Sequence, residues 1–351
     1  MATDEGGKTN EVTPERQLDR LWGYLKGFHA VHLAATGIDL GLFEGLHRLG
    51  GATPVGLAAD LGLHPPYVDV WCKTAFAYGL LEDGGDGRFV LGPYYDQILV
   101  QVGHPRYLAP FFTGKTTFYA EDFRRYSDFF RSGDTHTYQA HGEEFSHGIA
   151  AMTAGFHVVV ARKLLPSIPG VKETLDAGGS ILDMGCGAGN LLIQIAKAFP
   201  EATCVGVDVD RHGIEAAQKA IAAEGLGDRC RAELLSGDEI AHRDAFDVVT
   251  MFEVLHEIPE AVRPSVIRNC HKALKPGAPL YIVDETYPSN LDELRDPSFN
   301  FAIQTGYNEL IWGNVVPTRA DQDALLAEAG FEKVERTMIA NMFTAITAWK
   351  G

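Results

Sequence analysis

The stretch Leu182–Asn190 reads Leu-Asp-Met-Gly-Cys-Gly-Ala-Gly-Asn, and it decides the class of fold. An apolar run at 180–182 precedes it and a helix-like run at 191–196 follows it, so the pattern predicts a strand, a turn and a helix. Three glycines at alternate positions let the backbone turn sharply and approach a ligand closely, because no Cβ is in the way. The turn therefore predicts a nucleotide-type site at the end of a strand.

A second strand pattern supports this site and narrows the ligand. Thr203–Val207 is apolar and stops at Asp208, where a carboxylate is placed to hydrogen-bond a ribose diol. A dinucleotide fingerprint needs its third glycine one place later, where this chain has Asn190, so a pyrophosphate is disfavoured. No Gly-Lys-Ser/Thr follows, which argues against a triphosphate and its magnesium. Asp183, just before the glycines, suits a ligand with a positive group.

These motifs resemble those of the class I S-adenosylmethionine-dependent methyltransferases, in which an acid precedes Gly-x-Gly-x-Gly and a second acid ends the next strand. The match continues through Ser236–Asp238, like the third strand end, and Phe246–Met251, like the fourth strand. The resemblance implies a doubly wound α/β fold with a mostly parallel seven-stranded sheet, the cofactor S-adenosylmethionine and the product S-adenosylhomocysteine. The cofactor residues that it implies are Asp183, Gly185, Gly187, Gly189, Asp208, Val209, Asp238, Glu239 and Phe252.

Composition limits the broad class of protein. The 351 residues are 46% hydrophobic and exceed one average domain, so two domains are expected. The start lacks the basic and apolar segments of a secretion signal, and no apolar stretch of membrane-spanning length is expected, which predicts a cytoplasmic protein without membrane contact. Five scattered cysteines without a Cys-x-x-Cys pair predict reduced thiols and no metal site. A net charge of −17 opposes nucleic-acid binding and favours a small-molecule substrate.

The N-terminal third carries a helix-turn-helix pattern. A long helical pattern at 17–49, a capped helix start at Thr53, a helix at 67–78 and a hairpin around the glycine-rich turn at 84–87 together predict a winged helix. Acids outnumber Lys73 and Arg88 in this region, so DNA binding is disfavoured. The region resembles the N-terminal domain of plant-type and bacterial small-molecule O-methyltransferases, which implies a homodimer. The predicted organisation is a flexible tail at 1–16, a winged-helix dimerisation domain at 17–105, a helical connector at 106–170 and a catalytic domain at 171–351.

Two segments resemble the parts of that family that bind the methyl acceptor. The stretch 107–156 is rich in aromatic residues, as is 291–316. Such side chains are more often core than pocket, yet their position implies that some of them line an apolar cavity. The residues expected to contact the acceptor are Phe145, Met152, Phe156, Tyr307 and Trp312.

The predicted chemistry lies after the fourth strand, in Met251–Pro259. In the resembling subgroup this segment reads Leu-His-Asp-Trp, and its histidine removes the acceptor's hydroxyl proton; His256 matches that histidine. A phenol with a pKa near ~10 needs such a base at neutral pH. Glu257 stands at the family's aspartate and Asp284 at its glutamate after the fifth strand, which gives His256, Glu257 and Asp284 as the implied catalytic group. Val316 stands where plant enzymes carry a second glutamate, so this acid is expected to be missing.

Three hypotheses about activity remain open at this point. O-methylation of a small, planar and largely apolar secondary metabolite would use His256 as the base. A carbon or nitrogen methyltransferase would keep the cofactor residues and make His256 dispensable. A noncatalytic regulator would bind the cofactor without transferring a methyl group.

Overall fold

A computed structural model describes residues 12–351, and the chain divides into one compact unit ending at Thr117 and a second over Phe118–Gly351. The predicted tail at 1–16 lies mostly outside the described residues, and its last three residues already belong to the first helix. The helices of the first unit are α1 Pro14–Asp39, α2 Leu42–Leu49, α3 Pro54–Leu61, α4 Pro65–Ala77 and α5 Ala109–Gly114; its strands are β1 Leu81–Asp83 and β2 Phe89–Leu91.

Local sequence signals explain where these helices begin. Thr13 and Thr53 cap α1 and α3 by accepting backbone N–H groups, and a proline occupies the first helical position after each. The single helix predicted over 17–49 is wrong: the chain turns at Gly41, which has a φ of 67° and separates α1 from α2. Glycine is unfavourable within a helix and adopts the left-handed conformation easily, so the chain breaks here into two helices. The apolar spacing continues on both sides of the break, which is why the pattern predicted a single helix.

The core of the first unit forms under α2, α3 and α4. It is built from apolar side chains that are almost fully buried, and the indole N–H of Trp71 donates to the carbonyl of Leu33 at 3.1 Å. In contrast, α1 leaves a row of large apolar side chains in solvent: Leu18, Leu21, Trp22, Leu25 and Phe28 are each 49–66% exposed. This row recurs at helical spacing, so it forms one unpartnered face.

The second unit is a doubly wound α/β domain. Its helices are α6 Ala120–Ser132, α7 Glu143–Val159, α8 Val171–Asp176, α9 Asn190–Ala198, α10 Arg211–Ala223, α11 Arg263–Ala273, α12 Asn300–Asn308 and α13 Arg319–Ala329. Its strands are β3 Ser180–Met184, β4 Thr203–Asp208, β5 Cys230–Leu234, β6 Val248–Phe252, β7 Pro279–Asp284, β8 Phe331–Ile339 and β9 Phe343–Lys350.

The seven strands form one sheet in the order β5-β4-β3-β6-β7-β9-β8. Strands β3 to β7 pair in parallel, and β9 runs antiparallel between β7 and β8, which gives the mostly parallel seven-stranded sheet that the resemblance implies. The strand order reverses between β3 and β6, and ligands of such sheets bind at the carboxyl ends of the strands near this point. Met184, Asp208, Phe252 and Asp284 end the strands around it.

One helical stretch qualifies by length and composition as a membrane span, which differs from the expectation of none. It covers Glu143–Ser167, and 33% of its apolar window is buried. The stretch begins with α7, which packs against α9 and α10 within the second unit. Its apolar side chains thus contribute to the packing of this domain.

Candidate active site

The glycine turn after β3 is held against β4 by its backbone. Gly185 and Cys186 donate their N–H groups to the carbonyl of Val207 at 2.8 and 3.0 Å. Gly185 has a φ of 72°, and a Cβ there would lie 2.3 Å from Val254, so only glycine fits. Gly187 has a φ of 47°, and its Cβ would meet no atom within 4 Å. The turn therefore leaves open space at Gly187 and packs tightly at Gly185.

Asp208 ties the end of β4 to this turn. Its carboxylate accepts the N–H of Gly187 and that of Asp210, each at 2.7 Å. Burial raises the pKa of Asp208. The next residue, Val209, is exposed. The predicted ribose-binding acid thus stands directly beside the glycine turn.

Asp183 is buried at the end of β3 and is only half satisfied. One carboxylate oxygen accepts the hydroxyl of Thr250 at 2.7 Å, and the other has no hydrogen-bond partner. Burial, opposed by the Thr250 hydrogen bond, raises the pKa of Asp183 to about 7. A buried carboxylate oxygen without a donor fits a ligand that brings positive charge, as the sequence predicts for a methionine-derived cofactor.

The raised pKa of Asp183 makes stability depend on pH. In the unfolded chain the group ionises near its ordinary pKa of 3.8, so ionising it in the folded state costs stability as the pH rises from about 4 through about 7. Without cofactor, Asp183→Asn should be more stable than the native chain at pH 8, by at most about 4 kcal/mol. The difference should vanish towards pH 4. Urea unfolding across this range measures it, with Asp228→Asn at an exposed turn as the control; parallel curves for the native chain and Asp183→Asn would contradict the expectation.

The other predicted cofactor residues flank the same strand ends. Asp238 and Glu239 lie on an exposed turn after β5. The side-chain amide of Asn269 donates to the carbonyls of Asp238 and Gly237 in this turn, at 2.8 and 3.2 Å. Phe252, at the end of β6, is buried with its ring centroid 5.6 Å from that of Phe156. The turn is thus held by α11, and the ring packs against α7.

Two contacts join α7 to the cofactor segment. Ser146 donates its hydroxyl to Asp210, the residue that caps α10, and the side-chain amide of Asn190 donates to the carbonyl of Ala150 at 2.9 Å. Asp210 and Asn190 are at the starts of α10 and α9, the two helices that follow β4 and β3. Helix α7 is thus fastened to both strand–helix turns.

His256 is fully buried in the loop after β6. Its Nδ1 lies 2.7 Å from Asp284, which ends β7. Asp284 is itself fixed, because its carboxylate also accepts the N–H groups of Val254, Leu255 and Glu285 at 2.7–3.1 Å. The ring orientation of His256 is therefore set by the backbone of two loops.

Two further acids complete the surroundings of His256. Glu285 lies 3.3 Å from Nδ1, and Glu309 lies 3.2 Å from Nε2, where it also accepts the amide of Asn314 at 2.9 Å. The expected absence of a second acid is therefore wrong, because Glu309, just after α12, supplies it, while Val316 is a buried apolar side chain. No motif marks Glu309; the only signal was its location within the segment 291–316.

The acids control the protonation of His256. Burial alone disfavours the imidazolium, yet the charges of Asp284 and Glu285 outweigh it, and the pKa of His256 rises well above its usual value. The acids therefore favour the imidazolium form, in which both ring nitrogens carry protons. To act as a base, His256 must first lose the proton that faces Glu309.

Glu253 and Glu257 lie on either side of His256 along the chain. Glu253 has a φ of 57°, uncommon outside glycine, and its buried Oε1 has no hydrogen-bond partner. The carboxylate of Glu257 lies within 4.8 Å of His256 and Glu309. Burial raises the pKa of both glutamates well above the usual value. The shorter ion pairs to His256 come from Asp284, Glu285 and Glu309, so Glu257 is not its nearest acidic partner.

The predicted acceptor-binding residues divide into two groups. Phe145 and Trp312 are buried with ring centroids 5.1 Å apart, and the Trp312 indole donates to Asp122 at 2.8 Å. Met152 is buried on α7, and Phe156 packs against Phe252. Tyr307 is 54% exposed and is not in the buried cluster, because its ring stacks on Phe123 at the surface of α6.

The chain is similar in sequence and in fold to several known proteins. Residues 182–280 match a family model described as a methyltransferase domain. O-demethylpuromycin-O-methyltransferase of Streptomyces alboniger is 24% identical over 344 residues, which cover 93% of this chain and 88% of that one. An O-methyltransferase family protein from Burkholderia thailandensis superposes with a TM-score of 0.74 at 20% identity, over 97% and 99% of the two chains. Human N-acetylserotonin methyltransferase, solved with S-adenosylmethionine, superposes with a TM-score of 0.72 at 17% identity, over 98% of this chain and 99% of that one.

Residues 182–280 of the second unit therefore form a methyltransferase domain, and the chain has the fold of solved O-methyltransferase family proteins. The class, the fold and the cofactor predicted from the sequence are thereby confirmed. Other curated relatives match over only part of their length: the chain spans 52% of a methyltransferase of Aspergillus campestris at 25% identity and 59% of one of Streptomyces halstedii at 29% identity.

Proposed function

We propose that this protein methylates an oxygen atom of a small acceptor, with His256 as the group that takes the hydroxyl proton. The observation that carries the proposal is the burial of His256, with Nδ1 fixed by Asp284 and Nε2 facing Glu309. A histidine whose one nitrogen is anchored presents the other to a substrate, which is the arrangement of a general base.

The cofactor residues fit S-adenosylmethionine, which supplies an activated methyl group when bound. In the proposal, Asp208 and the glycine turn hold the ribose and the methionine part, Asp183 offers its unpaired oxygen to positive charge, and the Asp238 turn meets the adenine. The chain's own work is then to align the acceptor, to exclude water and to receive a proton at Nε2. Little else is required, because a sulfonium-bound methyl group is already reactive.

The acceptor is proposed to be a planar molecule of secondary metabolism. Phe145 and Trp312 offer buried ring surfaces for it, and Met152 lies on the same helix as Phe145. The whole-length relative acts on O-demethylpuromycin by its name, and another relative on 27-O-demethylrifamycin SV. Both names describe methylation of an oxygen in a small natural product.

The test is product analysis with isotope-labelled S-adenosylmethionine and a panel of phenols. We expect the label on oxygen, located by NMR of the product. Label on carbon or nitrogen would support the corresponding alternative transfer. Cofactor binding without labelled product from any acceptor, together with binding of a DNA probe, would support a noncatalytic regulator.

We further propose that the N-terminal unit is a winged helix and that the chain forms a homodimer through it; helices α3 and α4 followed by the hairpin β1–β2 support the first part. The exposed apolar face of α1 supports this, because burying it in a second copy would remove large side chains from water. A cytoplasmic location stays a prediction, supported by five free cysteines.

The dimer proposal predicts that Leu25→Glu will convert a dimer into a monomer. A charge in the centre of the apolar face would have to be desolvated at the interface, which is costly. Light scattering coupled to gel filtration measures the mass. Leu291→Glu, at a site that is 80% exposed in the second unit, is the matched control and should remain dimeric. A native chain of monomer mass at micromolar concentration would remove the proposal.

A further inference from the structure

Five carboxyl groups surround His256 and form what we name the carboxyl cluster. They come from three segments: the loop after β6, the end of β7, and the residue after α12. The cations that touch the cluster are His256 itself and Arg263, whose guanidinium donates to the His256 carbonyl at 3.0 Å. The carboxyls outnumber these cations. The members are Glu253, Glu257, Asp284, Glu285 and Glu309.

Two oxygens of the carboxyl cluster lack a hydrogen-bond donor. Glu285 is completely buried, and its other oxygen accepts the Thr305 hydroxyl at 2.7 Å, whereas Oε2 makes no hydrogen bond and has His256 Nδ1 at 3.3 Å as its neighbouring charge. Oε1 of Glu253 is also buried without a partner. Buried carboxylate oxygens without donors are costly, so the cluster is suited to a ligand that brings hydrogen-bond donors and positive charge.

Aromatic rings lie beside these carboxyls. Tyr119 is buried, and burial followed by the charges of Glu309 and Glu257 raises its pKa. The aromatic residue Trp312 is joined to the cluster through its backbone N–H, which donates to the Glu309 carbonyl at 2.9 Å. The ring of Trp312 lies 5.4 Å from that of Tyr119, and the ring of Phe145 follows. Carboxylates combined with aromatic faces are the surroundings that bind an ammonium group.

We propose that the methyl acceptor carries a protonated amine and that this amine binds in the carboxyl cluster, pairing with Glu309 and Glu285. The inference rests on the proposed function and specifies its substrate class. It also explains how His256 becomes a base, since the ammonium replaces the imidazolium as the cation that the carboxyls hold.

The exchange balances in protons. The ammonium enters with its charge, Glu309 leaves Nε2 to pair with it, and His256 releases its Nε2 proton to solvent. The neutral ring keeps its proton on Nδ1, which donates to Asp284. Its free Nε2 then takes the hydroxyl proton of the substrate. Glu253, Glu257 and Arg263 stay in place.

The experiment compares tyramine with 4-ethylphenol, which differ by the amine alone. Calorimetry on the full chain loaded with S-adenosylhomocysteine, in phosphate and in Tris at pH 7.5, measures affinity and proton release together. We expect tyramine to bind at least about 10-fold more tightly and to release about one proton. Glu309→Gln and Glu285→Gln should each reduce the ratio of the tyramine affinity to the 4-ethylphenol affinity, measured on the same variant.

Equal affinity for the two phenols, no detectable tyramine binding, or binding without proton release would overturn the inference. So would tight binding of Mg²⁺ or Zn²⁺ to the metal-free chain that is lost in the Glu285→Gln variant, because a divalent cation would then fill the cluster. The labelled-product assay separates the two proposals: O-methylation of neutral phenols with no amine preference keeps the function and removes the inference. An amine preference with proton release but no O-methylated product keeps the amine site and removes the proposed O-methylation.

Discussion

His256→Gln is expected to lower kcat by about 100-fold or more while S-adenosylmethionine binds with unchanged affinity. A glutamine side chain can still donate to Asp284 and fill most of the same space. It cannot accept the hydroxyl proton. Because the contacts of the glycine turn and Asp208 do not involve His256, cofactor affinity measured by calorimetry should be unaffected.

The pH profile separates a base from a structural histidine. Since the acids hold the pKa of His256 above its usual value, activity should rise with pH through that raised pKa. Asp284→Asn removes one of the charges responsible and should move the rising limb to lower pH. His271→Gln, on α11 against Phe331, is the matched control and should leave kcat unchanged. Full turnover in His256→Gln would exclude His256 as the base and favour carbon or nitrogen methylation.

Gly187→Ala should weaken the binding of S-adenosylmethionine by about 10-fold or more, with the fold retained. The added Cβ would meet no protein atom within 4 Å, so its bulk enters the space beside the glycine turn that the cofactor is proposed to fill. Titration calorimetry measures the affinity, and thermal unfolding without cofactor measures the stability.

Gly225→Ala is the matched control for this substitution. Gly225 has a φ of 66° and the same lack of neighbours, so its strain should equal that at Gly187, about 1 kcal/mol. It follows α10 and is not part of the glycine turn. We expect Gly187→Ala and Gly225→Ala to lose the same stability. Only Gly187→Ala should lose affinity for the cofactor. Unchanged affinity in Gly187→Ala would place the cofactor away from the turn.

The parts that could be predicted from the sequence are those with local signals. The turn at 185–189 and the acid at 208 are specified by residues next to them in the chain, since positive φ angles require glycine and parallel strands bring their carboxyl ends together. The doubly wound, mostly parallel seven-stranded sheet was also correct, because the resemblance that implied it rested on four motifs in sequence. Local chemistry thus determined the position of the cofactor segment.

The parts that were missed depend on packing between distant segments. Glu309 reaches His256 only because α12 and the residues after it pack over the end of β7, and no motif encodes that approach. Tyr307, two residues earlier, lies at the surface instead. Counting positions against a family pattern pointed to Val316. The second acid comes instead from Glu309, which lies earlier in the chain. Which side of α12 faces inward is a tertiary property.

The attachment of α7 to the turns that begin α9 and α10 has a consequence for kinetics. Phe145 and Met152 are on the same helix as Ser146 and Ala150, which make that attachment. A wall of the proposed acceptor chamber and the donor-holding loops thus move as one piece. Occupancy by the donor should then preorganise the chamber, so steady-state rates should follow an ordered mechanism in which the acceptor enters second.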